Sequence, residues 1–210
     1  MPSTLSVSQH RLNSARFIAS PHHDERPPDS QIELIVVHGI SLPAGQFGLH
    51  YIQDLFLGQL NIDANPSFAI LEGLRVSAHL LIRRTGEVVQ FVPFDKRAWH
   101  AGVSNWQGQT QCNDFSIGIE MEGTDEIPYT DAQYAVLADV VDALRDAYPG
   151  IQPAAVTGHE HIAPGRKTDP GPAFDWQRLA RSSTATPTTE AQTDSPQMAD
   201  TTPNKNHKDA

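Results

Sequence analysis

The run Ile32-Glu33-Leu34-Ile35-Val36-Val37 constrains this chain more than any other stretch. It is apolar and β-branched almost throughout, the pattern of a strand buried on both faces, so something must cover the sheet from each side. That requirement selects an α/β architecture. The run ends at His38-Gly39, which puts an imidazole at the carboxyl end of a buried strand, the place where open α/β sheets form their binding sites.

The remaining periodicities extend the sheet. Val76–Arg83 and Glu87–Val92, joined by Thr85-Gly86, read as a β-hairpin. Its first strand carries His79, equally suited to a hydrogen-bonded core position or to a site. Ser116–Glu122 is a strand whose period of two groups Ile117, Ile119 and Met121 on one face and Gly118, Glu120 and Glu122 on the other. Two carboxylates then share a face, with one expected buried near the site and the other solvated. Thr130-Asp131-Ala132-Gln133 has capping-box spacing and opens a helix through Tyr134, Leu137, Val141 and Leu144, stopped at Tyr148-Pro149-Gly150. A short helix is expected over 50–57, an irregular groove-lining segment over 61–73, a last strand over 154–158 and a final helical turn or two over 174–179. The expected fold is α/β: a single domain over residues 32–180 with a mixed, mainly antiparallel sheet of about five to six strands flanked by helices. Residues 1–31 read as a polar, proline-punctuated surface arm. After Leu179 there is no Leu, Ile, Val, Phe, Tyr or Trp, so 181–210 is expected to be a disordered tail.

The segment from His159 to Pro172 concentrates chemistry. It holds His159, His161, Arg166, Lys167 and Asp169 among three prolines and two glycines, a composition that excludes a regular helix or central strand and predicts a loop shaped to aim side chains. His and Asp aimed at one point suit a borderline metal, zinc foremost, and a catalytic zinc takes three protein ligands. His38 supplies a third. His161 is either a rival ligand or a solvent-facing side chain.

Composition narrows the function. A 210-residue chain with 39% hydrophobic and 19% charged residues builds one well-buried domain. A net charge of -10 and the absence of any basic run argue against a nucleic-acid partner. No apolar run approaches membrane-spanning length and the N-terminus has no apolar leader segment, which predicts a cytoplasmic protein without a membrane partner. The single cysteine, Cys112, excludes an internal disulfide and reads as a small buried hydrophobe. A monomer is the simplest expectation.

Five stretches in order carry a family resemblance: Val36-Val37-His38, Arg75–His79, Val92–Gly102 with its Trp99-His100-Ala101-Gly102 end, Asn113–Glu120, and Arg166–Pro172. In these the chain resembles the zinc-dependent N-acetylmuramoyl-L-alanine amidases, and among them the cytosolic type that acts on anhydro-muramyl peptides in cell-wall recycling. The resemblance covers about residues 31–179. It implies zinc held by His38, His159 and Asp169, a catalytic carboxylate at Glu120, a catalytic lysine at Lys167, and substrate binding by Arg75, Arg166 and Ala163. The implied substrate is a muramyl peptide, cut at the amide between the lactyl group and L-Ala. Two departures stand out, Gly39 where family members often carry Asn and Gln111 where an arginine is expected. Non-catalytic recognition modules of this fold usually lack the third ligand, whereas Asp169, Lys167 and Glu120 are all present here. An exported amidase acting on intact wall is the other alternative.

Overall fold

A computed structural model describes residues 5–182; of the tail expected over 181–210, residues 183–210 lie outside the described residues, and 181–182 end a helix. Six strands form the main sheet: β1 (Arg16–Phe17), β2 (Leu34–Ile40), β3 (Leu80–Ile82), β4 (Val88–Gln90), β5 (Ser116–Glu122) and β6 (Val156–Gly158). Their spatial order is β6-β2-β5-β3-β4-β1. The sheet is mixed as expected, but it is not mainly antiparallel. Only the β3–β4 hairpin runs antiparallel, while β6–β2, β2–β5, β5–β3 and β1–β4 are parallel. The two longest strands therefore lie side by side at the centre, and all of Leu34–Val37 has no solvent exposure.

Among the described residues four α-helices accompany the sheet: α1 (Tyr51–Phe56), α2 (Asp131–Ala147), α3 (His159–Ile162) and α4 (Trp176–Ser182). Thr130 and Gln133 make the reciprocal capping box that starts α2, and Tyr134, Leu137, Val141 and Leu144 all turn into the core. The period of two is visible in β3. Leu80 and Ile82 pack on the α2 side, and Leu81 between them packs with Phe56 and Phe91 on the α1 side. The segment after α1 is not structureless, because two 3₁₀ turns, Ile62–Ala64 and Pro66–Leu71, are capped by the Asn61 and Asn65 side chains.

The reading of residues 1–31 as a surface arm needs correction. β1 adds an edge strand to the sheet, His23–Glu25 pairs antiparallel with Lys96–Ala98, and Leu12 is buried. Arg26 reaches inward and donates to the carbonyls of Phe94, Asn113, Asp114 and Ser116 at 2.8–3.2 Å. Burial lowers its pKa to about 10. A planar guanidinium satisfies several buried carbonyls at once, which a hydrophobic tally of the arm could not register. His79 belongs to this core. Its Nδ1 accepts the Gly118 N–H at 3.0 Å and its Nε2 donates to the Lys96 carbonyl at 3.0 Å. Among the described residues no helix is long and apolar enough to cross a membrane.

Candidate active site

The parallel pairing of β2 with β5 places Glu120 in register with His38, so the two side chains leave the sheet on one face at the carboxyl end of its centre. β6 is in register with β2 up to Gly158 opposite Val37, and the chain then turns at once into His159. Contrary to the expected loop, His159–Ile162 forms a single helical turn before the Pro/Gly segment begins. Glu160 N–H donates to the Asp169 carbonyl at 2.9 Å, which returns Asp169 to the start of that turn.

The result is a tight triangle. His38 Nδ1 lies 3.0 Å from His159 Nδ1, and Asp169 Oδ2 lies 3.2 Å from each of them. For bonds of about 2.0–2.1 Å to one tetrahedral ion the ligand atoms stand about 3.3 Å apart, so the spacing fits a single metal. Hydrogen-bond polarity points the same way. His159 Nε2 faces the Ala101 carbonyl at 3.0 Å and must donate to it. The Ser116 hydroxyl donates to the Cys112 carbonyl, so Ser116 Oγ accepts from His100 Nε2 at 3.3 Å, and His100 Nδ1 accepts from His38 Nε2 at 3.0 Å. Both ligand-side nitrogens are then bare lone pairs turned toward a carboxylate oxygen, a donor set that calls for a cation. Burial, the largest influence on it, lowers the His38 pKa to about 4, which keeps the imidazole neutral as ligation requires.

These three are the metal-capable group of the described residues. Lys167, Glu120 and the triad border one cavity of about 230 Å³, walled on its other side by Leu55, Phe56, Leu71, Val76 and Trp99. Burial above all, with help from Asp169, pushes the Glu120 carboxyl well above the usual carboxylate range, against the opposing pull of Lys167. Glu120 Oε2 is buried with no hydrogen-bond partner.

The other candidates fall elsewhere. One carboxylate of the strand pair was expected to be solvated, but both are buried; Glu122 accepts from the Gly48 and Arg84 N–H groups at 2.6 and 3.2 Å and pairs with Arg83 at 3.5 Å. His161 is no rival ligand. Its Nδ1 accepts the Gly158 N–H at 3.2 Å, and its ring lies beside Trp176. Arg166 donates to the Ala101 and Val103 carbonyls, each at 2.6 Å. Arg75 lies over the Trp99 ring at 5.4 Å. Ala163 is buried, with its carbonyl taking the N–H groups of Arg166 and Lys167. Gln111 is exposed at a left-handed φ of 60° outside the cavity. Gly39 has a local reason: a Cβ there would collide with the Tyr129 hydroxyl, which donates to the Pro170 carbonyl at 3.0 Å.

His100 and the Ala101 carbonyl, both in contact with the triad, were not singled out by the sequence. The only signal was their place in the Trp99–Gly102 stretch.

The profile of the N-acetylmuramoyl-L-alanine amidase family matches residues 28–172, a span that contains the triad, Glu120 and Lys167. The chain belongs to that family. The amidase is 62% identical over 168 residues to the 1,6-anhydro-N-acetylmuramyl-L-alanine amidase AmpD of Salmonella typhimurium strain SL1344, covering 80% of this chain and 89% of that one. It superposes on a crystal structure of a selenomethionine AmpD derivative with a TM-score of 0.82 at 58% identity, covering 85% of this chain and 99% of the other. It also resembles the Escherichia coli amidase AmiD, solved with the substrate anhydro-N-acetylmuramic acid-L-Ala-D-γ-Glu-L-Lys, with a TM-score of 0.53 at 28% identity over 85% of this chain and 65% of that one.

Proposed function

We propose that this amidase takes soluble 1,6-anhydro-N-acetylmuramyl peptides in the cytoplasm and hydrolyses the amide between the lactyl group and L-Ala, using one zinc ion held by His38, His159 and Asp169. The observation that carries the reading is the triangle of 3.0–3.2 Å between three lone-pair atoms, with the unpartnered Glu120 carboxyl in the same cavity. The substrate class comes from relatives whose names or bound molecules specify the anhydro sugar. Bound zinc would polarise the scissile carbonyl and lower the pKa of a water to about 7.

The chain's own groups do the rest. Glu120 takes the proton of the attacking water and passes it to the amide nitrogen, so that the amine leaves neutral. A carboxyl whose pKa is raised by burial is well suited to both halves of that transfer. Lys167 places an ammonium against the oxyanion that develops on the carbonyl oxygen. Leu55, Phe56, Leu71, Val76 and Trp99 exclude water, which strengthens both effects, and offer an apolar seat for the bicyclic sugar. For the carboxylates of the stem peptide the candidate cations are Arg75 and Arg166. Ala163 contributes through its backbone, since its carbonyl takes the N–H groups of Arg166 and Lys167.

Release of peptide from anhydro-muramyl tripeptide, its non-anhydro counterpart and intact sacculi tests the assignment. Fast cleavage of the first and slow cleavage of sacculi is expected. Equal or faster cleavage of sacculi would overturn it in favour of a wall-lytic amidase.

A further inference from the structure

We propose that His100 is a positioning residue for the metal: it fixes His38 in the tautomer that presents Nδ1 to the ion. The inference rests on the metal reading of the triad and adds a residue that borders the cavity and acts on the ion through His38.

The two histidine ligands are held in parallel ways from one dipeptide. His159 donates its outer N–H to the carbonyl of Ala101 at 3.0 Å, and His38 donates its outer N–H to the ring nitrogen of His100 at 3.0 Å. A backbone carbonyl can only accept, so the His159 tautomer is fixed by the chain itself. An imidazole can accept or donate through Nδ1, so His100 fixes His38 only if its own proton is kept on Nε2. The structure supplies that condition. Ser116 Oγ stands 3.3 Å from His100 Nε2, and its own proton is committed to the Cys112 carbonyl, leaving it free to accept. The chain of donors therefore runs in one direction, from His38 through His100 and Ser116 to a carbonyl that cannot return a proton.

Three further features lock the ring. Gly118 leaves the space it fills, since a Cβ at 118 would collide with the His100 imidazole. Asn113 Oδ1 accepts the N–H groups of both His100 and Ala101, at 3.2 and 2.8 Å, so one carboxamide sets the backbone behind both ligands. The His100 and His38 rings meet edge to face at 85° with centroids 5.1 Å apart.

The test is zinc affinity of the full chain, measured by competition with a chromophoric chelator. Asn at 100 keeps an acceptor oxygen where His Nδ1 stands; Leu fills similar space without one. His100→Leu should weaken zinc binding by about ten- to a hundredfold, the range found for lost outer partners of metal-binding histidines, and His100→Asn should stay within about threefold of wild type. Wild-type affinity in His100→Leu, or equal weakening in both folded variants, would overturn the proposal. A second readout needs no variant: in the zinc-loaded protein, ¹H–¹⁵N spectra should show the His100 proton on Nε2, and a proton on Nδ1 would overturn it as well. His159→Ala separates this from failure of the site itself, because unchanged zinc in that variant would show that the ion sits elsewhere, whereas loss of zinc there with wild-type affinity in His100→Leu rejects the role of His100 alone.

Discussion

Two carboxylates two residues apart on one strand face acquire opposite fates from what surrounds them. Glu122 receives two backbone N–H groups and the Arg83 guanidinium, which makes it a structural anion. Glu120 has one oxygen with no partner and faces the cavity of the triad, which leaves it free to exchange protons. Glu120→Gln should therefore keep its zinc and its melting temperature while losing turnover by roughly a hundred- to ten-thousandfold, the span of a general acid–base contribution. Glu122→Ala should cost on the order of 3 kcal/mol of stability by leaving the Gly48 and Arg84 N–H groups without their acceptor and Arg83 with one ion pair fewer. Thermal melts and turnover of the two variants check this together, and the reverse order of damage would exchange their roles. The period of two showed that both lie on one face. It could not tell them apart, because Gly48 and Arg84 reach Glu122 only through tertiary folding.

At the scale of elements, legibility followed how local the cause was. α2 was readable because its cap, Thr130 with Gln133, and its apolar stripe lie within the helix itself. The β3–β4 hairpin was readable for the same reason. Strand direction was misjudged, since whether Ser116–Glu122 runs parallel to Leu34–Ile40 depends on the crossover between them and leaves no mark in either strand. The packing of the N-terminal segment is not legible either, because its strand partners are distant in sequence and one of its anchors, Arg26, finds its acceptors in main-chain carbonyls of residues 94–116. Those acceptors are invisible in a sequence. Arg26→Ala should destabilise the protein by on the order of 3 kcal/mol, as buried carbonyls lose charged donors. Arg26→Lys should recover little, since an ammonium cannot reproduce the planar fork. Urea unfolding of both variants checks it, and a Lys variant as stable as wild type would show that charge alone suffices.

For the whole molecule, the apolar run that ends at His38 already implied a sheet covered on both faces with chemistry at its carboxyl end. The fold meets that implication by bringing the ends of β2, β5 and β6 together, so that His38, Glu120 and His159 converge from three adjacent strands. Asp169 comes from the loop that follows. Its arrival could be read only from a residue pattern, not from periodicity, and its 3.2 Å approach to both imidazoles is the structural fact on which the rest depends. The most direct measurement is a zinc titration of chelator-stripped protein, followed by release of peptide from anhydro-muramyl tripeptide. Activity should be absent without metal, rise linearly, and reach its plateau at one zinc per chain in wild type, with no plateau at that ratio for His159→Ala or Asp169→Ala. Full turnover in the stripped protein, or stoichiometric zinc and activity in both variants, would contradict a zinc amidase built on these three ligands.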